Sequence, residues 1–239
     1  ANNLAIKGFF WQSGKKLIVT SAFEHHAVLD PIEWLKEHQG AEVIYIPIKR
    51  DGFIDLEFLK DVVAERRNEI AVISIMHSNN ELGSIQPIAE VVQIAGAIPV
   101  HTDAVQSFGK IPFNFEELGV SAATLSAHKI GGPLGVAALV LKHGIDLAPL
   151  LHGGGQEREI RSGTINAPGI VAFAKAAEIA IATRESNFKV IRELRDQLIT
   201  GLKHAVPDLI LNSPADPALP GVVNISIPGT ESDALLLLL

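Results

Sequence analysis

The chain contains no cysteine, which excludes disulfides, thiolate metal sites and a cysteine nucleophile within its 239 residues. No apolar run approaches the roughly 20 residues of a membrane span, and no basic start followed by an apolar stretch and a small-residue cleavage site opens the chain. A cytoplasmic setting without a membrane partner is therefore expected. No long Lys/Arg cluster offsets the acidic excess, and the formal charge of -7 argues against nucleic acid and anionic membrane surfaces as partners. Small anionic ligands remain compatible with local positive groups. No internal repeat or low-complexity segment is present apart from the terminal leucines, and no G-x-S-x-G elbow supports a serine hydrolase.

What is present is a large apolar fraction, 47%, enough for a sizeable core. Strand-like and helix-like runs alternate: "KLIVTS", "AVLDPIEWLKEHQG", "AEVIYIPI", "DLEFLKDVVAERR", "EIAVISIMH", "PIAEVVQIAG" and "IPVHTDA". This alternation predicts an α/β fold, a mostly parallel sheet sandwiched by helices, and strands rich in Val and Ile suit a sheet buried on both faces. "AATLSA" and "GVAALVL" are expected to complete the sheet, the second after a tight turn through glycines. From about Pro168 to about His204 a long helical pattern leads to "PDLILNSP" and "GVVNISIPG", strands of a smaller α+β unit. The expected division is a large domain over 1–185 and part of a small domain over 186–239. Both ends are expected to be cut, because "ANNLAIKGFF" reads as a helix already under way and "ESDALLLLL" as an apolar run without a cap.

In open α/β sheets ligands collect at the carboxyl ends of the strands. The polar residues of interest fall there. Glu24, His25 and His26 follow "LIVTSAF"; His77 to Glu81 follow "AVISIM"; Asp103 and Gln106 follow "IPVHT"; Ser126, His128 and Lys129 follow "AATL". Each has an ordinary explanation when taken alone: an Asp after a strand caps a helix, a His packs or faces water, a Lys is a solvated charge, and Gly153-Gly154-Gly155 is a turn. Four converging strand ends ask for a joint one.

Pyridoxal phosphate catalysis needs such a set: an amine to condense with the cofactor aldehyde, and an acid to keep the pyridine nitrogen protonated. Lys129 suits the amine and Asp103 the acid. Ser126, His128 and Thr164 suit hydrogen bonds to the phosphate, Gln106 the ring hydroxyl, Asn80 the same oxygen or a substrate carboxylate, and His25 a stack on the ring. The glycines after Lys129 leave room for substrate exchange. Metal ligation by His25, His26, His77, His101 and His128 is the competing reading, but the adjacent pair lacks helical ligand spacing and no clear third ligand joins it, so no metal is expected.

The motifs "NNLAIKG", "EHHAVLD", "ISIMHSNNELGSIQPI", "HTDAVQSFGK", "SAHKIGGPLGVAALVL" and "HGGGQEREIRSGTIN" resemble the cysteine desulfurases of the class V aminotransferase-like, fold-type I pyridoxal phosphate enzymes. The resemblance implies that the large domain binds pyridoxal 5'-phosphate and that L-cysteine is converted to L-alanine, its sulfur passing as a persulfide to acceptors such as an iron–sulfur scaffold. It implies Lys129 as the lysine that binds the cofactor aldehyde, Asp103 as the pyridine partner and His25 as the stacking residue that also moves protons. Asn80, Gln106, Ser126 and His128 match cofactor-contacting positions, and Thr164 matches a threonine that reaches the phosphate of the neighbouring subunit, which implies a homodimer.

Three departures accompany the resemblance. The family's nucleophilic cysteine and its carboxylate-binding arginine would lie beyond Leu239, the phosphate-binding turn that precedes "NNLAIKG" is missing, and the link before Asp103 is short. The chain as it stands is expected to be inactive and its parent an enzyme. Selenocysteine lyase or another class V aminotransferase is the alternative activity, and a non-catalytic truncated binding protein the alternative class.

Overall fold

The runs at 17–21 and 70–74 offer no polar face to water, and both are buried along their whole length. A computed structural model of the chain describes residues 1–238. In chain order it forms α1 (Asn2–Ser13), β1 (Leu17–Ser21), α2 (His26–Gln39), β2 (Glu42–Ile46), α3 (Leu56–Arg66), β3 (Ile70–Ser74), α4 (Ile88–Ala95), β4 (Val100–Asp103), α5 (Phe115–Leu118), β5 (Ala122–Ser126) and β6 (Ala137–Leu141). After a loop region come α6 (Ala167–Ala205), β7 (Ile210–Leu211), β8 (Ile225–Ser226) and α7 (Ser232–Leu238).

The main sheet has the order β2-β1-β3-β4-β5-β6. Its first five members pair in parallel, and β6 returns antiparallel beside β5 with Ala122 opposite Leu141. Side chains that alternate along each strand supply two separate cores. Leu17, Val19, Ile73, Val100 and Ala123 pack under α3 and α4, while Ile18, Val72 and Ala122 pack under Ile6, Phe9 and Phe10 of α1 and Val28, Ile32 and Leu35 of α2. Each of these large side chains, buried almost completely, favours the folded state by roughly 1.5–3 kcal/mol. Helices on both faces leave the strand ends as the place where polar side chains meet.

Strand order turns back on itself between β1 and β3. The chain leaves β1 toward β2 on one side, then resumes at β3 and proceeds through β4 and β5 on the other. The crevice at such a reversal is where open α/β sheets take ligands.

Asn166 caps the long helix α6 through its side chain, which accepts from Gly169 N, and Pro168 sits in the first turn where a missing N–H costs nothing. α6 runs unbroken through residues 185 and 186. It leads to the two-stranded pair β7 and β8, in which Ile210 faces Ser226. Arg195 fastens this unit to α6, donating from Nε to Val222 O and from Nη2 to Pro214 O, each at 3.0 Å. The loop after β3 meets the same unit: Leu219 N donates to Gly83 O at 2.7 Å, and a Cβ on Gly83 would stand 2.9 Å from Val222 Cβ.

Candidate functional site

Asp103 ends β4 and is 6% exposed. Its Oδ1 accepts from Val105 N at 2.9 Å, the turn-capping role that an Asp after a strand ordinarily plays, while Oδ2 accepts from Asn2 Nδ2 at 2.7 Å. Burial pushes its carboxyl above the usual range, and the bonds from Val105 N and Asn2 and the nearby His25 ring act in the opposite direction. The β1–α2 connection brings Glu24 to the same end of the sheet. Its Oε1 accepts from Ser21 Oγ at 2.7 Å and from Met76 N at 2.9 Å, and its Oε2 has no hydrogen-bond partner among the described residues. Burial raises this carboxyl to about 8.

His25 is exposed at the N-terminus of α2, where its Nδ1 accepts from Ala27 N at 3.0 Å. The ring thus caps a helix as well as standing near Asp103. The loop after β3 is organised by Asn79 rather than Asn80: Asn79 Oδ1 accepts from Glu81 N and Leu82 N, and its Nδ2 donates to Phe23 O. Asn80 is half-buried beside it. Beneath the loop, Ser107 Oγ lies 2.6 Å from both His77 Nδ1 and Ser78 Oγ, joining the ends of β3 and β4. Burial holds the His77 imidazole neutral, its pKa lowered to about 4. Gln106, next to Ser107, is half-buried and accepts from Lys110 Nζ at 2.7 Å.

β5 ends at Ser126 and passes into a tight 3-10 turn, Ala127–Ile130, that presents Lys129. Gly132 N closes the turn onto Ala127 O at 2.9 Å, and a Cβ on Gly132 would stand 2.9 Å from both Ala127 Cβ and Ala127 O. Glycine is therefore required here by space. Ser126 Oγ and His128 Nδ1 lie 2.7 Å apart, forming a hydroxyl–imidazole pair in the residues just before the lysine. Lys129 is exposed and makes no hydrogen bond or ion pair among the described residues. It lines a cavity of about 410 Å³ with Lys110, Ile179, Arg184, Asn187 and Leu219. Burial lowers the Lys110 ammonium below its usual value, and the charge of Lys129 adds to the effect.

The eight residues singled out from the sequence thus fall into separate places. Lys129 alone lines the cavity under α6, whereas His25, Asn80, Asp103 and Gln106 gather at the ends of β1, β3 and β4. Ser126 and His128 stand at the end of β5, between the two, and Thr164 is exposed in the loop before α6. Among the described residues no group of three or more His, Asp or Glu could hold a metal ion, and no helix is long and apolar enough to cross a membrane. Sequence reasoning missed Asn2 as the partner of Asp103, and it placed Glu24 after the first strand without giving it a role.

The family model for class-V aminotransferases matches residues 1–239. An IscS-like cysteine desulfurase of Mycobacterium tuberculosis is 42% identical across 100% of the chain, and a cysteine desulfurase IscS of Dictyoglomus turgidum is 44% identical across 99%. A solved NifS-like protein superposes with a TM-score of 0.91 at 38% identity, covering 98% of the chain and 64% of its own. The chain spans 63% and 60% of the two curated relatives, less than two thirds of either. With the family model matched from end to end and the sheet shared with a NifS-like structure, this chain belongs to the class-V aminotransferase family.

Proposed function

We propose that the protein is a pyridoxal phosphate-dependent cysteine desulfurase and that this chain carries its cofactor-binding region. The observation that carries the reading is that the adjacent parallel strands β5 and β4 deliver an amine and an acid to the same edge of the sheet: Lys129, just past β5 and without a partner among the described residues, and the buried Asp103 at the end of β4. The donor set suits the cofactor's chemistry. An amine with no ion pair among the described residues to hold it protonated is available to a carbonyl, and a carboxyl in a low-dielectric pocket is worth more to a cation than one in water. When bound, pyridoxal phosphate supplies an electron sink for a bond broken at the substrate.

In this reading Lys129 Nζ holds the cofactor and then carries protons, a contribution on the order of 10²–10⁴ in rate. Asp103 keeps the proton on the ring nitrogen, His25 covers one ring face, and Gln106 and Asn80 orient the ring hydroxyl or the substrate carboxylate. Ser126 and His128 would hold the phosphate through the hydroxyl and the imidazole, joined by Thr164 of a second copy in a homodimer. The net reaction joins L-cysteine and an acceptor thiol: an S–S bond forms, the Cβ–S bond breaks, and its electron pair ends in the new C–H bond of L-alanine. The thiol is not among these residues, since the chain has no cysteine. An iron–sulfur scaffold is the kind of protein that would take the sulfur onward, in a cytoplasmic setting.

Borohydride reduction in the presence of pyridoxal phosphate tests the assignment, followed by peptide mapping. The cofactor is expected on Lys129 and nowhere else, and Lys129→Ala is expected to lose both the label and the visible absorption. Label on another lysine, or an unchanged spectrum in a folded Lys129→Ala protein, would refute it.

A further inference from the structure

Two buried carboxyl groups lie at the carboxyl edge of the sheet, Glu24 where the strand order reverses and Asp103 at the end of β4. Glu24 is 5% exposed and Asp103 6% exposed, and the two are close enough for the charge of one to oppose the other's. Their hydrogen bonding differs. Both Asp103 oxygens accept N–H donors, from Val105 and Asn2, an arrangement suited to an anion. Glu24 concentrates its bonds on one oxygen, which spans from Ser21 on β1 to Met76 beyond β3, and leaves Oε2 without any donor. An ionised Glu24 would therefore bury a charged, unpartnered oxygen beside a second carboxylate, the costliest of the available states. A neutral acid keeps the Oε1 clamp and removes the repulsion.

We propose that Glu24 is a positioning residue which, as a neutral acid, clamps the carboxyl ends of β1 and β3 and leaves Asp103 as the single buried negative charge of the site. The titratable group facing the pair from another element is the His25 ring at the start of α2, and it acts on Asp103. Asp103 is the charged group that acts on Glu24. The raised carboxyl of Glu24 agrees with this division. The use made of the Asp103 charge rests on the pyridoxal phosphate reading; the protonation and clamping of Glu24 do not.

The experiment compares wild type, Glu24→Gln and Glu24→Ala, first without cofactor. The infrared difference between wild type and Glu24→Gln at neutral pH is expected to show one carboxylic-acid carbonyl band belonging to Glu24. Because the folded carboxyl titrates above the unfolded one, its stabilising effect is present below the unfolded value and is lost as pH rises through about 8. The melting temperature of wild type is therefore expected to fall relative to Glu24→Gln as pH rises from about 5 to 8, and to level off above that. Pyridoxal phosphate is then titrated at neutral pH, where Glu24→Ala is expected to bind more weakly and the isosteric Glu24→Gln to restore affinity to within about twofold. Absence of the acid band, parallel melting profiles, or a folded Glu24→Gln protein about tenfold weaker in cofactor binding would each overturn the proposal. If wild type fails to bind the cofactor, the pyridoxal phosphate reading falls, while the infrared and melting results still decide the state of Glu24.

Discussion

His101 sets a pH dependence that can be worked out from its surroundings. It lies in β4 with no exposed surface, its Nδ1 2.9 Å from Ser74 Oγ and its Nε2 3.0 Å from Thr124 Oγ1. The two hydroxyls satisfy a neutral ring, and burial lowers its pKa from 6.5 to about 3. A folded value below the unfolded one gives a stabilisation that is complete above the unfolded value and is lost as pH falls toward the folded one. At about pH 5 the unfolded ring has taken up a proton that the native ring refuses, a difference of about 1.5 pH units and so about 2 kcal/mol. That figure comes from the unfolded value and holds for any folded value well below 5. In a chain of this length it corresponds to about 4–8 °C in melting temperature. The raised carboxyls of Glu24 and Asp103 act in the opposite sense on acidification, so the wild-type profile alone mixes the two. The measurement is therefore the melting temperature of wild type minus that of His101→Gln, from about pH 8 to 5, in which the fixed packing cost of the substitution cancels. Wild type is expected to lose its advantage by this amount across the range. A constant offset would show that the imidazole protonates alike in both states and would refute the reasoning.

Gly132→Ala is expected to force the Lys129 turn away from Ala127, because the new Cβ would stand 2.9 Å from a backbone oxygen. A cost of about 1–3 kcal/mol and weaker pyridoxal phosphate binding should follow, and calorimetric unfolding with a cofactor titration indistinguishable from wild type would contradict it. Arg195→Ala removes two of the bonds that hold the β7–β8 unit to α6, leaving the one from Arg192 Nη2 to Ala215 O, at a cost of about 2 kcal/mol. Limited proteolysis is expected to cut faster between β7 and β8 while amide exchange in the main sheet stays unchanged; equal cutting rates in the two proteins would show that the unit is held by other contacts.

The sheet was legible because its determinants are local. Val- and Ile-rich runs of strand length separated by amphipathic helices placed β1 to β5 with α2, α3 and α4 but not the single-turn α5, and the glycines after Lys129 announced the turn before β6. The site was legible only as far as chain neighbours could show it. Residues after strand ends were found, but not what they bind. Asn2 and Asp103 are 101 positions apart, and no pattern in either segment announces the bond between them. Asn79 and Asn80 are alike in sequence, yet only the fold sends the first into the loop as its organiser. The wall opposite Lys129, made by α6 and the segment around Leu219, likewise depends on how distant elements pack.

Buried polar groups are distributed unevenly over the sheet, and their distribution follows from its topology. Through the body of each strand the two helical layers supply only apolar contacts, so a polar side chain there must find its partner on the neighbouring strand, as Thr20 does with Ser74 O and Thr102 with Ile75 O. At the carboxyl ends the helices have not yet begun, and free backbone N–H groups such as Met76 N and Val105 N become available to side chains. Carboxylates can be buried there at tolerable cost because those donors point at them. Where the strand order reverses, β1 and β3 are adjacent while their following segments diverge, which opens the space that Glu24 spans. The same divergence that makes room for a ligand thus requires a side chain to hold the two strands together, and a neutral acid does so without adding charge beside Asp103.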